Sequence, residues 1–368
     1  MTAHHHDTVP LALVQMLVAL RSPGASSPEL FSVSAEGTWQ TPSEGEPELG
    51  QSSWALPGLV DSHAHLAADE LITEPGEPLE IRRRAYACLE RGTFLVVDKG
   101  WSDDSVLMTL TDMAPTSRPD FQAAGRMIAV EGGYYPGFAV ETDAEGLEGW
   151  VARLARESRG WVKLVGDWPR KGRGAVANFT VDQLEVAVQV AHAAGARVAI
   201  HTMAPEVPSM AVAAGVDSIE HGLFLTEADL ELLAARDGAW VPTVLRMEAI
   251  GEMLGPESTG GRLVVAGIDN VRELLSIAPS DLAVLAGTDL ATGPGDVSGE
   301  VLALIRLGLP PERAVAAASS AARSYLGRPR GFQQGEPADA VFYDADPIED
   351  PSTLSRPVTV LRAGRRVG

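Results

Sequence analysis

Cysteine is nearly absent: Cys88 stands alone in 368 residues. No disulfide can form within the chain, and nothing calls for an oxidising compartment. In the helical stretch RRRAYACLERG, Cys88 reads as an inert, partly buried side chain. Positive charge is also scarce. Lys and Arg number 29 against 50 Asp and Glu, a net charge of −21. That balance excludes nucleic acid and an anionic membrane surface as partners, because both would repel the chain. Long apolar runs are missing. VPLALVQMLVAL at 9–20 is too short to span a bilayer, and Asp7 precedes it where a signal peptide carries Lys or Arg. It reads as a first β-strand, and a cytoplasmic location is expected. His4, His5 and His6 resemble a tag remnant and are set aside. Aromatic residues make up 5%, yet 45% of the chain is hydrophobic and 21% charged, an ordinary globular composition.

The length suits one large core with a small companion domain. From Val9 to Trp54, short apolar runs are broken by Pro, Gly and Ser, as in ELFSVSAEGTWQ and SSWALPG. These predict strands and turns. From Gly58 to about Gly327 the pattern alternates between apolar strand and amphipathic helix. Strand runs are LVDSHAH, TFLVVDKG, RMIAV, WVKLVG, RVAIHT, VDSIEH, AWVPTV and LAVLAGTD. Helical runs are EPLEIRRRAYACLERG, VDQLEVAVQVAHAAG, EADLELLAARDG and GEVLALIRLG. Such alternation predicts βα units and an α/β fold with a parallel sheet. Eight strands at this length suggest a (β/α)₈ TIM barrel. Strands return in ADAVFYDAD and PVTVLRAGRRV. The expected division is 7–54 and 330–368 as two parts of one β-sandwich, flanking a barrel over 55–329.

Six residues lie at or just past strand ends: His63, His65, Lys163, His201, His221 and Asp289. In a (β/α)₈ barrel that end is where catalytic groups converge. Alternation puts His63 and His65 on one side of strand 1, with Asp61 as an expected partner orienting a ligating imidazole. Lys163 sits among apolar neighbours in WVKLVG. A bare ammonium is costly there, so its pKa should fall and make it a nucleophile or a ligand precursor. Asp289 could both ligate a metal and accept a proton from water. Alternation turns Glu220 away from the site, as a structural residue, and His192 reads as a helix packing residue. The set suits a divalent metal of the zinc type.

These segments carry a resemblance. PGLVDSHAHL, AHAAGARVAIHT, AAGVDSIEHG, WVPTV, LAGTD and GEPADAVFYDADPIED together resemble the amidohydrolase superfamily, nearest its imidazolonepropionase-like and prolidase-like branch. The resemblance runs from about Leu56 to the C-terminus. It implies the composite terminal domain and a binuclear zinc-type site with carboxylated Lys163. One ion would take His63, His65, Lys163 and Asp289, and the other Lys163, His201 and His221. A metal-bound hydroxide would cleave a C–N bond in an amide, cyclic amide or dipeptide, with Asp289 passing the proton to the leaving nitrogen.

The partner is then a small-molecule substrate, and a homo-oligomer is left open. Loops after the strands carry Lys99, Trp101, Tyr134, Tyr135, Trp168, Arg170, Lys171, Arg173 and Arg246. A cation among them could hold a substrate carboxylate, and the aromatics could line an apolar pocket; Lys99, Tyr134 and Arg246 are the chosen substrate residues. Two departures from the branch fall in that pocket: GGYY at Gly132–Tyr135 in place of GGH, and Val97, Asp98 and Lys99 where relatives carry an Arg-Asp pair. Other readings stay open: a mononuclear deaminase or ring-opening hydrolase with uncarboxylated Lys163, a lactonase or esterase, and a non-catalytic barrel scaffold.

Overall fold

A computed structural model describes residues 17–42, 53–68, 76–170 and 173–367. The first eight residues of the predicted N-terminal strand run, the His4–His6 cluster and Lys171 lie outside the described residues. Strand–helix alternation appears as expected. The parallel strands are β1 (Leu59–Ala64), β2 (Thr93–Asp98), β3 (Met127–Val130), β4 (Trp161–Val165), β5 (Arg197–Thr202), β6 (Ser218–His221), β7 (Ala239–Val241) and β8 (Ala283–Val284). Strands β3 to β8 pair side by side in parallel, with Val140–Thr142 added beyond β3. Strands β1 and β2 form a second parallel sheet with Asp120–Ala123. Isolated parallel bridges, Ala123 to Gly160 and Trp101 to Arg126, link the two sheets. On the other side, Ser62 N donates to Ala286 O at 2.9 Å, and Asp289 N donates to His63 O at 2.8 Å. The first strand is thereby laid against the segment that follows the last.

Each strand is clad by the helix after it. Val162, Leu164, Val198, Ile200 and Ile219 point outward into the main core, against Leu184, Ala187 and Val188 of helix Val181–Ala193. Trp161, Ala199, Ala239 and Val241 face the other way, into a separate cluster with Val60, Leu95 and Val97 of the first two strands. Period-two burial on both faces is why these strands are apolar almost throughout. Helix starts match their local signals: Thr180 with Gln183 and Thr226 with Asp229 form capping boxes. Two helices not anticipated from the sequence, Val244–Leu254 and Thr259–Ile277, pack on each other beyond β7.

The two ends of the described chain share one sheet. Its strand order is Arg365–Arg366, Thr359–Arg362, Ala340–Tyr343, Ser53–Leu56, Leu17–Arg21, Glu29–Val33 and Trp39–Gln40. Val341 pairs antiparallel with Leu56, joining the late strands to the early ones. The ladder runs through seven strands and folds back on itself, since Trp39 N donates to Glu336 O and Gly335 N to Trp39 O just before Ala340–Tyr343; its early part extends past residue 54 to Leu56. Trp39, Val18, Leu20, Val33, Ala338 and Ala340 make its own small core. Val341 and Tyr343 bury into the main core beside Leu56.

Candidate metal centre

The side chains predicted at the strand ends do converge. His63 Nε2 lies 3.2 Å from His65 Nε2, and the two lie 3.5 and 3.4 Å from Asp289 Oδ1. One ligand atom from each of these three residues falls within 4.8 Å of the others, a group able to hold a metal ion. His221 Nε2 is 2.9 Å from His201 Nδ1. The His221 ring centroid is 5.4 Å from that of His63, so the second pair adjoins the first. Lys163 is buried between them in sequence order of strands, on β4 beside β5. Its Nζ has no hydrogen-bond partner among the described residues.

Backbone geometry aims these groups. His221 has φ 64° and Asp289 φ 41°, with Thr243 at 47° and Leu290 at 66° around them. Left-handed conformations are costly for residues with a Cβ, and here they gather where side chains must turn toward one point. Gly287 of LAGTD is required by crowding, since a Cβ there would stand 2.5 Å from His63 Cβ. Trp240 on β7 is fully buried and its Nε1 donates to His221 O at 2.9 Å, bracing the turn. Trp240→Ala should therefore cost about 3–5 kcal/mol, measured by urea denaturation. A loss under about 1 kcal/mol would deny Trp240 this bracing role.

Ring orientation is also fixed. His65 Nδ1 faces Gly100 O at 2.7 Å, so that nitrogen carries a proton and leaves Nε2 to face the cluster. Thr243 Oγ1 donates to Pro242 O and thus accepts from His221 Nδ1, 2.7 Å away. Burial lowers the His63 imidazole to about 4, although Asp289 and Glu220 pull it up. Burial, then Lys163, lowers His201 to about 3. His221 is pushed well down by burial and by His201. Burial works against an ionised Asp289, but His63, His65 and His221 override it and hold the carboxyl well below its ordinary range. Burial lowers the Lys163 amine to about 8. Neutral imidazoles beside an ionised carboxylate are the protonation states that metal ligation needs.

Several expectations need correction. Glu220 does not turn away: it is fully buried, with Oε2 2.6 Å from His63 Nδ1 and Oε1 2.9 Å from Lys99 Nζ. Lys99 is correspondingly not a substrate residue. It is buried beneath the cluster, 4.5 Å from the Trp161 ring centroid. Asp61 orients backbone and not an imidazole, accepting from His63 N, Thr288 N and Thr288 Oγ1. Asp289 stands five residues past β8, in a turn instead of at a strand end. Cys88 is fully buried, and His192 pairs with Asp217 at the surface.

A cavity of about 550 Å³ opens above the histidines. Tyr134 and Arg246, two of the chosen substrate residues, line it with Trp101, Tyr135 and Trp168. Trp168 packs edge-on against Tyr134 and Tyr135, with centroids 4.7 and 4.6 Å away. Met247, Ile250, Met253, Leu263 and Val264 of the unanticipated helices complete the apolar wall. Arg246 Nε lies 3.9 Å from Asp289 Oδ2. Arg170 instead bonds Asn178 at 3.0 Å, and Arg173 is exposed.

A parallel α/β fold thus carries, at the ends of its strands, a histidine–carboxylate cluster able to hold a metal ion. The chain belongs to the amidohydrolase family, whose model matches residues 54–367. An uncharacterized protein of Mycobacterium tuberculosis is 34% identical over 346 residues, covering 89% of each chain. Among solved structures, a Xaa-Pro dipeptidase with bound methionine is similar at TM-score 0.78 and 21% identity, covering 95% of this chain and 98% of that one. An A. niger ochratoxinase also matches at TM-score 0.78, with 19% identity over 96% and 95% of the two chains. The family match bears out the amidohydrolase resemblance, and the structural likenesses show a shared fold. Among the described residues, no helix is long and apolar enough to cross a membrane.

Proposed function

We propose that this chain is a metal-dependent hydrolase of C–N bonds, with its parallel strands closed into a (β/α)₈ barrel over 55–329 and a companion domain from 7–54 and 330–368. The observation that carries it is the convergence of His63, His65 and Asp289 beside a buried, partnerless lysine amine and a second histidine pair. These donors fit a pair of divalent ions, zinc foremost. His63, His65, Lys163 and Asp289 would hold one, and Lys163, His201 and His221 the other, with Lys163 carboxylated to serve both. When bound, such ions acidify water and polarise a carbonyl oxygen.

The chain's own residues do the rest. Asp289 takes a proton from the attacking water and delivers it to the leaving nitrogen. Arg246, beside Asp289, holds an anionic group on the amine half of the substrate. Tyr134, Trp168 and the methionine-rich helix wall bind an apolar acyl half and keep bulk water out. Lys163, freed of its proton, attacks CO₂ through Nζ. As the N–C bond forms, one C=O π bond of CO₂ opens onto oxygen and a proton of the neutral amine passes to water, leaving a carbamate anion.

The test is a metal assay on purified protein, followed by hydrolysis of N-acyl amino acids, dipeptides, lactams and lactones. About two ions per chain and amide cleavage are expected, with activity lost on chelation and restored by zinc. One ion per chain would leave the mononuclear reading standing. Cleavage of lactones alone would move the protein to the esterase class.

A further inference from the structure

Three buried polar side chains beneath the cluster take no part in hydrolysis as described. Glu220 Oε1 accepts from Lys99 Nζ at 2.9 Å and from Ser218 Oγ at 2.6 Å, while Oε2 stands 2.6 Å from His63 Nδ1. Lys99, Ser218 and Glu220 are each no more than 1% exposed. Lys99 Nζ also faces the Trp161 ring, 4.5 Å from its centroid, a second support for the cation. Burying an ion pair carries a desolvation cost that apolar residues of equal volume avoid. A filler role does not account for it.

What a carboxylate can do here is select a tautomer. The nitrogen of His63 that joins the cluster is Nε2, 3.2 Å from His65 Nε2 and 3.5 Å from Asp289 Oδ1. Neutral imidazole has one N–H and one lone pair. A proton on Nε2 would leave that nitrogen nothing to offer a metal. An ionised carboxylate only accepts, so Glu220 Oε2, 2.6 Å from Nδ1 though off the line of an ideal hydrogen bond, favours the proton there. Each of the other two oriented rings has its own acceptor, Gly100 O for His65 and Thr243 Oγ1 for His221. Only His63 is given a charged one.

We infer that Glu220, anchored by Lys99 and Ser218, is a positioning residue that fixes His63 as its Nδ1–H tautomer and so presents Nε2 for metal binding. This rests on the metal-hydrolase reading above. A carboxylate behind a ligating histidine also strengthens it as a donor, and Lys99 keeps that carboxylate from turning away.

Glu220→Gln tests it with almost no change of shape. With the amide oxygen retained by Lys99 and Ser218, the NH₂ faces His63 Nδ1, which must then accept and carry its proton on Nε2. Zinc affinity, measured by competition with a chromophoric chelator, should fall about 10–100-fold. In metal-free protein, the ring-nitrogen NMR signals of His63, assigned by their loss in His63→Ala, should switch from the Nδ1–H to the Nε2–H pattern. Lys99→Met, which removes the anchor, should shift both readouts in the same direction by less. Unchanged zinc affinity and an unchanged tautomer in Glu220→Gln overturn the inference. Should that variant fail to fold, the same null result in Lys99→Met overturns it. Wild-type protein that takes up no zinc sinks the metal reading and this inference together. Tight zinc binding by wild type and Glu220→Gln alike sinks only the positioning role.

Discussion

Lys163→Ala is expected to abolish turnover and to weaken metal binding by more than roughly a hundredfold, since losing even an outer partner of a ligand costs about 10–100-fold. The reason is the placement of its amine, buried on β4 with no partner among the described residues. An alkylammonium left there would be an unpaired buried charge; as a carbamate it becomes an anion two cations can share. Short carboxylic acids added to the variant should restore part of the activity by standing in for that anion. Lys163→Arg should not be rescued, because its charge is permanent. Burial lowers the amine to about 8, and only the neutral amine reacts with CO₂. Labelled CO₂ uptake by metal-free protein, followed as a ¹³C carbamate signal, should therefore rise as pH climbs through about 8. Full activity in Lys163→Ala with one ion bound would refute the shared-ligand role.

Asp289→Asn should lower kcat by about 10²–10⁴-fold, the range for a lost general acid–base group, with a much smaller change in KM. The amide keeps the outline of the carboxylate but accepts no proton. Asp289 is also the group on which the site's charges centre: His63, His65 and His221 all lie within 4.0 Å of its oxygens, and Arg246 within 3.9 Å. Steady-state kinetics on metal-loaded protein would decide it. A kcat within about tenfold of wild type would move proton transfer to another residue.

The six candidate ligands were legible because each lies within or just beyond an apolar strand, and parallel strands bring their ends to one side; Lys163 sits mid-strand in Trp161–Val165 and Asp289 five residues past Ala283–Val284. Glu220 was misread for a specific reason. Alternation assumes regular strand geometry through VDSIEHG, and on that basis His221 and Glu220 face opposite ways. At φ 64° His221 leaves that geometry, so both side chains reach the interior. The following Gly222, at φ 61°, was the available signal, because HG at a strand end permits such a turn. Lys99 was misread because a lysine after a strand looks like a rim residue until its buried counter-ion is known. The helices Val244–Leu254 and Thr259–Ile277 were missed because Gly255, Pro256, Gly260 and Gly261 interrupt the apolar period between them. Those helices supply eight of the 25 residues that line the cavity, and of these only Arg246 was anticipated.

The shared terminal sheet sets an order on the protein's birth. Ser53–Leu56 must await Ala340–Tyr343 as its antiparallel neighbour, and a ribosome needs roughly 15–60 s to make the stretch between them at about 5–20 residues per second. Throughout that interval one edge of the early strands is uncapped, in the crowded period when a nascent chain most readily pairs with another. Closure comes only once Ala340–Tyr343 has been made, so the late strands act as a clasp, and a product truncated before them would be left open.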